Sequence, residues 1–481
     1  MDGTTWVFLA EALILPSGLV VVIFLTRRLG PEGYGLFTLA TAFVLWLEVI
    51  ISEIFSRATV KFVSETSDWQ SVGSVVMRLH LAVSVGTALI LFFSADAIST
   101  LLKEPVLADY LKLLALDIPL FSLASAQRYI LIGTGGFRMR ALMSAGRHIT
   151  RLIFVIILVE LGLSVPGAIL GGIGASMVEL FMGSYFVRLS PFRRASFPAR
   201  RLYGYAVWLF LHSISMIIYN KMDLFMLKIL GGTADQAGIY GAAQNLAIIP
   251  SIFAFSFSPL LLSTLSRMLR EGDGPGAKDL GRDAMRAVFW MLPLGGMVAG
   301  AAQEIVVLTF GRLYVSAGSL LALLIFAALC TVMISVTTAT LTAAGKPSWT
   351  FALTGPLIPL ALGGHLLMIP RFGSVGASLV TTVFSVCCAL GAVLAVYRLW
   401  GVLPPVWTLA RCILIGGGAF FLAKLWPTPG FWLLLKLTSI VLLIALGFLV
   451  SGEFRASEIT FLRSVLRRQG VTKKTQHSDN N

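Results

Sequence analysis

Apolar runs of about twenty residues, broken by charge clusters and by Gly or Pro, recur along the whole chain, and each predicts one membrane-crossing helix. They lie near residues 5–26, 36–57, 74–96, 107–131, 149–165 and 167–187. A second set lies near 204–229, 237–262, 287–310, 317–343, 350–369 and 374–397, with two more near 405–423 and 430–450. The pattern predicts an all-α polytopic membrane protein of about fourteen transmembrane helices joined by short loops. Pro16, Pro119, Pro259 and Pro356 fall within these runs as candidate kinks.

Composition agrees with the pattern. The 481 residues are 57% hydrophobic and 12% charged, with mean hydropathy +0.88. A soluble domain carries about twice that charged fraction, so the bilayer must serve as solvent. The formal net charge of +14 invites a nucleic-acid reading, but placement argues against it. Most of the Lys and Arg flank spans 2, 4, 6, 8, 10 and 12 on their C-terminal side or lie in the tail. By the positive-inside bias those loops and both termini are cytoplasmic, facing anionic lipid of the cytoplasmic (inner) membrane. Phe454, Ile459, Phe461, Leu462, Val465 and Leu466, interleaved with Arg455, Arg463, Arg467 and Arg468, predict a surface-lying helix, and the polar residues after about Gly470 predict disorder. Cys330, Cys387, Cys388 and Cys412 sit in apolar runs without metal or disulfide spacing and read as small core hydrophobes. Asp2 and Glu11 make a poor signal peptide, so the first span is expected to be retained.

The chain also repeats itself. Tyr34-Gly35-Leu36-Phe37-Thr38-Leu39-Ala40 corresponds to Ala237-Gly238-Ile239-Tyr240-Gly241-Ala242-Ala243, each copy following a Leu-Gly pair, Leu29-Gly30 and Leu230-Gly231. Ile173-Gly174-Ala175-Ser176-Met177-Val178 corresponds to Val375-Gly376-Ala377-Ser378-Leu379-Val380 at nearly the same offset. An offset spanning six helices, an even number, keeps both copies in one orientation, as in parallel-repeat transporters. The expected units are an N-lobe of six helices (1–190), a basic cytoplasmic linker (191–203), a C-lobe of six helices (204–398), two extra helices (399–450) and a cytoplasmic tail (451–481), the lobes enclosing a central cavity.

Two of these stretches resemble a known family. Arg27-Arg28-Leu29-Gly30-Pro31-Glu32-Gly33-Tyr34-Gly35-Leu36-Phe37 looks like the first-loop signature of the polysaccharide biosynthesis flippases (Wzx-like), and Asp223-Leu224-Phe225-Met226-Leu227 followed by Gly238-Ile239-Tyr240 is similar to their seventh and eighth helices. Those proteins belong to the multidrug/oligosaccharidyl-lipid/polysaccharide exporter superfamily. The resemblance implies MATE-like lobes working by alternating access, on a polyprenyl-pyrophosphate-linked oligosaccharide whose headgroup enters the cavity while its tail stays in lipid. It also implies outward transfer for surface polysaccharide export, beside a polysaccharide polymerase or other export machinery.

Charged groups inside spans are costly, so each needs a reason. Arg128 is the first candidate for the headgroup, because Arg grips phosphate bidentately; the competing reading is a structural Arg bracing helices. Asp117 lies eleven residues earlier on the same face, with Phe121 and Ala124 between them. Lys221 and Asp223 diverge on their helix, so one can face the cavity while the other supports the lobe interface. Arg57 either joins the headgroup set or pairs with Glu53 four residues earlier. Arg27 and Arg28 lie at the outer mouth, where they would meet a departing pyrophosphate or lipid headgroups. Glu11 and Glu48 are buried-carboxyl candidates for ion coupling. Glu160, Glu179 and Glu304 receive no role, and His212 and His365 read as satisfied polar groups.

No phosphate-binding Gly-x-x-x-x-Gly-Lys-Ser/Thr loop occurs, since Gly345-Lys346 lacks the upstream Gly and precedes Pro347. No cofactor is expected. Membrane potential would supply about 2.3 kcal/mol per charge per 100 mV for an anion moving outward, and H+ or Na+ coupling is the other source. Three alternatives stand beside the flippase: a peptidoglycan-precursor flippase, a cation-coupled multidrug antiporter, and, remotely, a membrane-embedded polysaccharide enzyme. An antiporter for organic cations favours an acidic cavity, against Arg128 and Lys221. An enzyme needs a large loop or metal cluster that the pattern lacks.

Overall fold

The computed structural model describes residues 3–66, 68–190, 221–428 and 430–453, and the regular elements among them are helical. In chain order they are α1 (Gly3–Glu65), α2 (Trp69–Leu101), α3 (Leu107–Leu114), α4 (Asp117–Gly133), α5 (Phe137–Leu158) and α6 (Ser164–Val187). The end of α7 (221–229) follows, then α8 (Ala234–Ala247), α9 (Ile249–Arg270), α10 (Gly274–Phe289), α11 (Leu292–Gly300), α12 (Ala302–Phe310) and α13 (Ala317–Ala343). The last four are α14 (Pro347–Thr354), α15 (Leu357–Trp400), α16 (Val406–Leu425) and α17 (Trp432–Val450).

Eight helical runs among the described residues are long and apolar enough to cross a membrane, nine counting the bent pair Gly274–Gly300 and Ala302–Phe310. The chain is a multi-pass membrane protein. Three of these runs each hold two helices that meet at a glycine. Gly30 breaks α1, Gly162 separates α5 from α6, and Gly373 breaks α15, all with positive φ, which glycine adopts without steric cost. The halves fold back on one another: Gly364 lies against Val380 and Phe384 within α15, and Gly171 lies on the backbone of Val155 between α6 and α5. The seventh expected span is described only from residue 221, so the full count of fourteen is not read from these helices.

Helix ends differ from the hydropathy reading where polar residues continue a helix past its apolar run. The fifth span begins at Phe137 rather than near 149. The fourth is divided into α3 and α4, and the ninth starts at Gly274 and bends at Ala301. Pro119 and Pro356 sit at helix starts, where a missing N–H costs nothing. Cys388 and Cys412 are buried, whereas Cys387 is exposed on the helix surface, as suits a small apolar side chain in a membrane.

Helices α1 to α6 pack on one another, α8 to α15 pack around α13, and α1 against α8 joins the two groups. Helices α16 and α17 are fixed to the α10–α12 segment at both ends. Gly296 and Gly300 of α11 let its backbone approach Gly416 and Phe420 of α16. At one end Lys436 of α17 donates to Glu304 of α12. At the other, Glu453 accepts from Arg286 Nε (2.9 Å), Thr408 (2.6 Å) and Arg411 (3.0 Å). The linker at 191–203 and the surface helix expected after Glu453 lie outside the described residues.

Candidate functional site

The turns at Gly30, Gly162, Gly231, Gly311 and Gly373 lie at one end of the bundle, here the Gly30 end. Those at Gly135, Gly272 and Gly345 lie at the other, the Gly135 end. A cavity of about 620 Å³ lies between the helix groups. One wall, from α1, α4, α5 and α6, presents Glu48, Asp117, Arg147 and Arg151. The facing wall presents Lys221 of α7, Asn245 of α8, and Ile248, Ile249 and Ile252 where α8 passes into α9. Four of these five charged residues therefore stand on the first wall, set among apolar side chains such as Leu19, Val22, Leu25 and Ile169, and the fifth, Lys221, on the facing wall.

The charged wall follows from helix periodicity. Arg147 and Arg151 are four apart on α5 and project from one face. Glu48 and Asp117 are 4% and 7% exposed. Behind them, Arg128 donates to the fully buried Glu179 (2.8 Å) and to Ser125 (2.6 Å). Arg147 reaches the second Glu179 oxygen only at 3.6 Å, and the ring of Phe121 carries both guanidinium groups, Arg147 at 4.3 Å and Arg128 at 5.3 Å. No hydrogen bond or ion pair holds Arg151 among the described residues. The tightly fixed cation is thus Arg128, and the loosely held ones line the cavity.

The Gly30 end is closed by contacts between the two helix groups. Gly35 of α1 and Gly238 of α8 face each other: a Cβ on Gly35 would fall on the Ala234 carbonyl, and one on Gly238 on the Pro31 carbonyl. The repeat offset maps Pro31 onto Ala234 and Gly35 onto Gly238, so the seam is symmetric between the copies. Asn245 donates to the Tyr34 hydroxyl (2.9 Å), and the Tyr34 and Tyr314 rings meet edge-to-face. Lys228 pairs with Glu104 (2.6 Å). Arg27 donates to the carbonyls of Thr309 (2.9 Å) and Leu308 at the end of α12.

Of the residues singled out from sequence, Glu48, Asp117 and Lys221 line the cavity. Arg128 stands behind its wall, in the buried pair with Glu179. Arg27 is engaged with α12 and Arg28 with Glu160 at the surface (2.6 Å). Asp223 is buried and accepts from Leu224 N, Tyr240, Gln244 and Thr381. Gln244 also accepts from Lys221 (3.0 Å), so these two residues, divergent on their helix, are linked through a third. The side chains of Glu11, Glu53 and Arg57 lie outside the described residues. Sequence reasoning missed Arg147 and Arg151 and gave Glu179 no role. The signal was present: Arg140, Arg147 and Arg151, spaced seven and four apart, share one helix face.

The profile of the family described as "Polysaccharide biosynthesis protein" matches residues 1–267. The succinoglycan biosynthesis transport protein ExoT of Rhizobium meliloti is 26% identical, over 55% of this chain and 53% of the relative. A putative O-antigen transporter of Shigella flexneri is 25% identical, over 50% and 60%. A probable flippase, AglR of Haloferax volcanii, is 23% identical over 81% and 82%. The chain thus spans a little over half the length of the first two relatives. Among solved structures, the lipid II flippase MurJ in an inward closed conformation superposes with a TM-score of 0.74 at 16% identity, covering 96% of this chain and 99% of that one. A MATE transporter in the bent conformation gives 0.60 at 14%, covering 87% and 97%. These structures share the fold.

Proposed function

Because the chain belongs to the polysaccharide biosynthesis protein family, we propose that it is a flippase that carries a polyprenyl-pyrophosphate-linked oligosaccharide from the cytoplasmic to the outer leaflet of the cytoplasmic membrane. The observation that carries this reading is a cavity in which three cations, Arg147, Arg151 and Lys221, stand among apolar side chains of both walls. Such a lining suits a cargo that is anionic at the headgroup and apolar beyond it. Arg147 and Arg151 can each offer a planar fork of donors to phosphate oxygens.

Alternating access needs one closed end, and the Gly30 end supplies it. The basic loops lie at the Gly135 end, which the positive-inside bias assigns to the cytoplasm together with both termini. Relatives named for succinoglycan and O-antigen transport support surface polysaccharide as the destination, with a polymerase or export complex as downstream partner. The cavity's three cations against two carboxylates argue against an organic-cation exporter. The reading is of transport, not catalysis.

The test is deletion of the gene in its host with mass spectrometry of polyprenyl-pyrophosphate sugars. A completed unit should accumulate on the cytoplasmic side as surface polysaccharide is lost, with peptidoglycan precursor unchanged. A rise in peptidoglycan precursor instead moves the protein to the cell-wall branch. No rise in any lipid-linked sugar, with new sensitivity to cationic drugs, replaces the flippase by the antiporter.

A further inference from the structure

Glu179 of α6 is fully buried, and its two oxygens are used unequally. Oε1 accepts from Arg128 of α4 (2.8 Å), whereas Oε2 has no hydrogen-bond partner among the described residues. Arg147 Nε of α5 stands 3.6 Å from Oε2, close enough for attraction and too far for a hydrogen bond. A buried carboxylate oxygen without a donor is costly, so the arrangement needs a reason. The repeat shows that the helix position itself does not demand an acid. The register that pairs Ser176 with Ser378 pairs Glu179 with Thr381, so the second copy fills the same place with an uncharged side chain.

The two arginines beside Glu179 differ in what they have left to give. A guanidinium offers a fork at its two terminal nitrogens and one further N–H at Nε. Arg128 spends its fork inside the wall, Nη1 on Glu179 and Nη2 on Ser125. Arg147 is turned the other way. Its Nε faces Glu179, its cation lies 4.3 Å from the centre of the Phe121 ring, and neither Nη1 nor Nη2 makes a hydrogen bond among the described residues. Arg147 also lines the cavity. Arg128 thus fixes the carboxylate, the carboxylate and the ring steady the second guanidinium, and the fork of Arg147 is left for whatever enters.

We propose that Glu179 is a positioning residue for the anion site: by holding the Nε side of Arg147 it aims that residue's terminal fork at phosphate oxygens in the cavity. Arg128 serves the same end by anchoring Glu179, and Phe121 by carrying the cation. The ordering of Arg147 is then met on folding and not on binding, which raises affinity for the anion. This inference rests on the anion site proposed above.

The test is calorimetry of inorganic pyrophosphate binding to the full-length protein in nanodiscs, with Glu179→Gln made in two backgrounds, wild type and Arg147→Lys. Lysine keeps the charge at this position but has no fork to aim, and Arg151 and Lys221 keep its binding measurable. In the wild-type background Glu179→Gln should weaken binding roughly tenfold, the worth of one misdirected charge-assisted hydrogen bond. In the Arg147→Lys background it should cause no loss. Unchanged or tighter binding in the wild-type background overturns the inference, since removing a nearby negative charge by itself favours an anion. An equal loss in both backgrounds also overturns it, by making Glu179 a general support of the wall. Should Glu179→Gln fail to purify as a monodisperse species, Glu179→Asp replaces it in both backgrounds. That variant keeps the charge, withdraws the carboxylate from Arg147 by one methylene, and carries the same expected pattern. Either overturning result, with wild-type binding intact, leaves the flippase reading standing. Absence of any pyrophosphate binding to the wild type overturns the anion site, and this inference with it.

Discussion

Gly35 and Gly238 occupy equivalent positions of the internal repeat and meet each other at the Gly30 end, each taking the space where the other's helix needs a Cβ-free surface. The backbone of each repeat rests on the other, so neither glycine can gain a methyl group while the seam stays shut. Gly35→Ala and Gly238→Ala should each weaken the closed arrangement. A shift of about 1.4 kcal/mol already changes its population ratio tenfold. The expected outcome is a strong loss of surface polysaccharide in a complemented deletion strain at normal protein level. Gly86→Ala on α2, where a Cβ meets nothing within 4 Å, should behave as wild type.

Arg128 and Arg151 should separate as support and ligand. Removing Arg128 leaves Glu179 buried with only the distant Arg147, and breaking a buried pair in this way costs roughly 3–5 kcal/mol. Arg128→Ala should therefore lower the thermal midpoint of the purified protein markedly. Arg151 has no hydrogen-bonded partner among the described residues to abandon, so Arg151→Ala should lower the midpoint less than Arg128→Ala does while abolishing most pyrophosphate binding. Thermal shift and calorimetry on the two variants decide between the roles, and the reverse pattern would exchange them.

How much of this was legible in the sequence depended on whether a signal was periodic or relational. The apolar runs announced the membrane-crossing helices because every span must bury its own backbone polar groups. The repeat announced that Gly35 and Gly238 are equivalent, though not that they touch. Glu48, Asp117 and Lys221 stood out as charges within apolar runs, and they reach the cavity. Arg147 did not stand out, because hydropathy cannot distinguish a loop cation from one well inside a helix that begins, as α5 does, at Phe137. Arg128 was legible as important but not as a partner of Glu179, fifty-one residues away. Arg27 was legible as lying at the mouth but not as reaching α12.

The contacts at the Gly30 end also predict how the cavity opens. Lys228–Glu104 and Arg27 with the α12 carbonyls tie the two helix groups together there. Lys228→Met combined with Arg27→Ala should favour the state open at that end. With Asn245→Cys as reporter, labelling of intact cells by a membrane-impermeant thiol reagent should rise several-fold over the reporter alone. Unchanged labelling would mean that the glycine seam, not the polar ties, holds the end shut.

A pH effect is expected at the opposite end, outside the spans. Burial is the largest influence on Glu453 and pushes its carboxyl up, yet hydrogen bonds from Thr408, Arg286, Arg411 and Trp290 together outweigh it and hold the group below the ordinary carboxylate value. A carboxyl depressed in the folded state contributes stability above its unfolded value, and that contribution is lost as pH falls through the lower, folded value. Other carboxylates contribute to acid unfolding too, so the informative quantity is the difference from Glu453→Gln. The variant should be less stable than wild type at neutral pH, because Arg286 and Arg411 lose their counter-charge at the junction of α10, α16 and α17. The gap in thermal midpoint should narrow as pH is lowered below the ordinary carboxylate range, where wild-type Glu453 also becomes neutral. A gap that stays constant with pH would assign the site's contribution to hydrogen bonding and packing alone, with no part for the charge on Glu453.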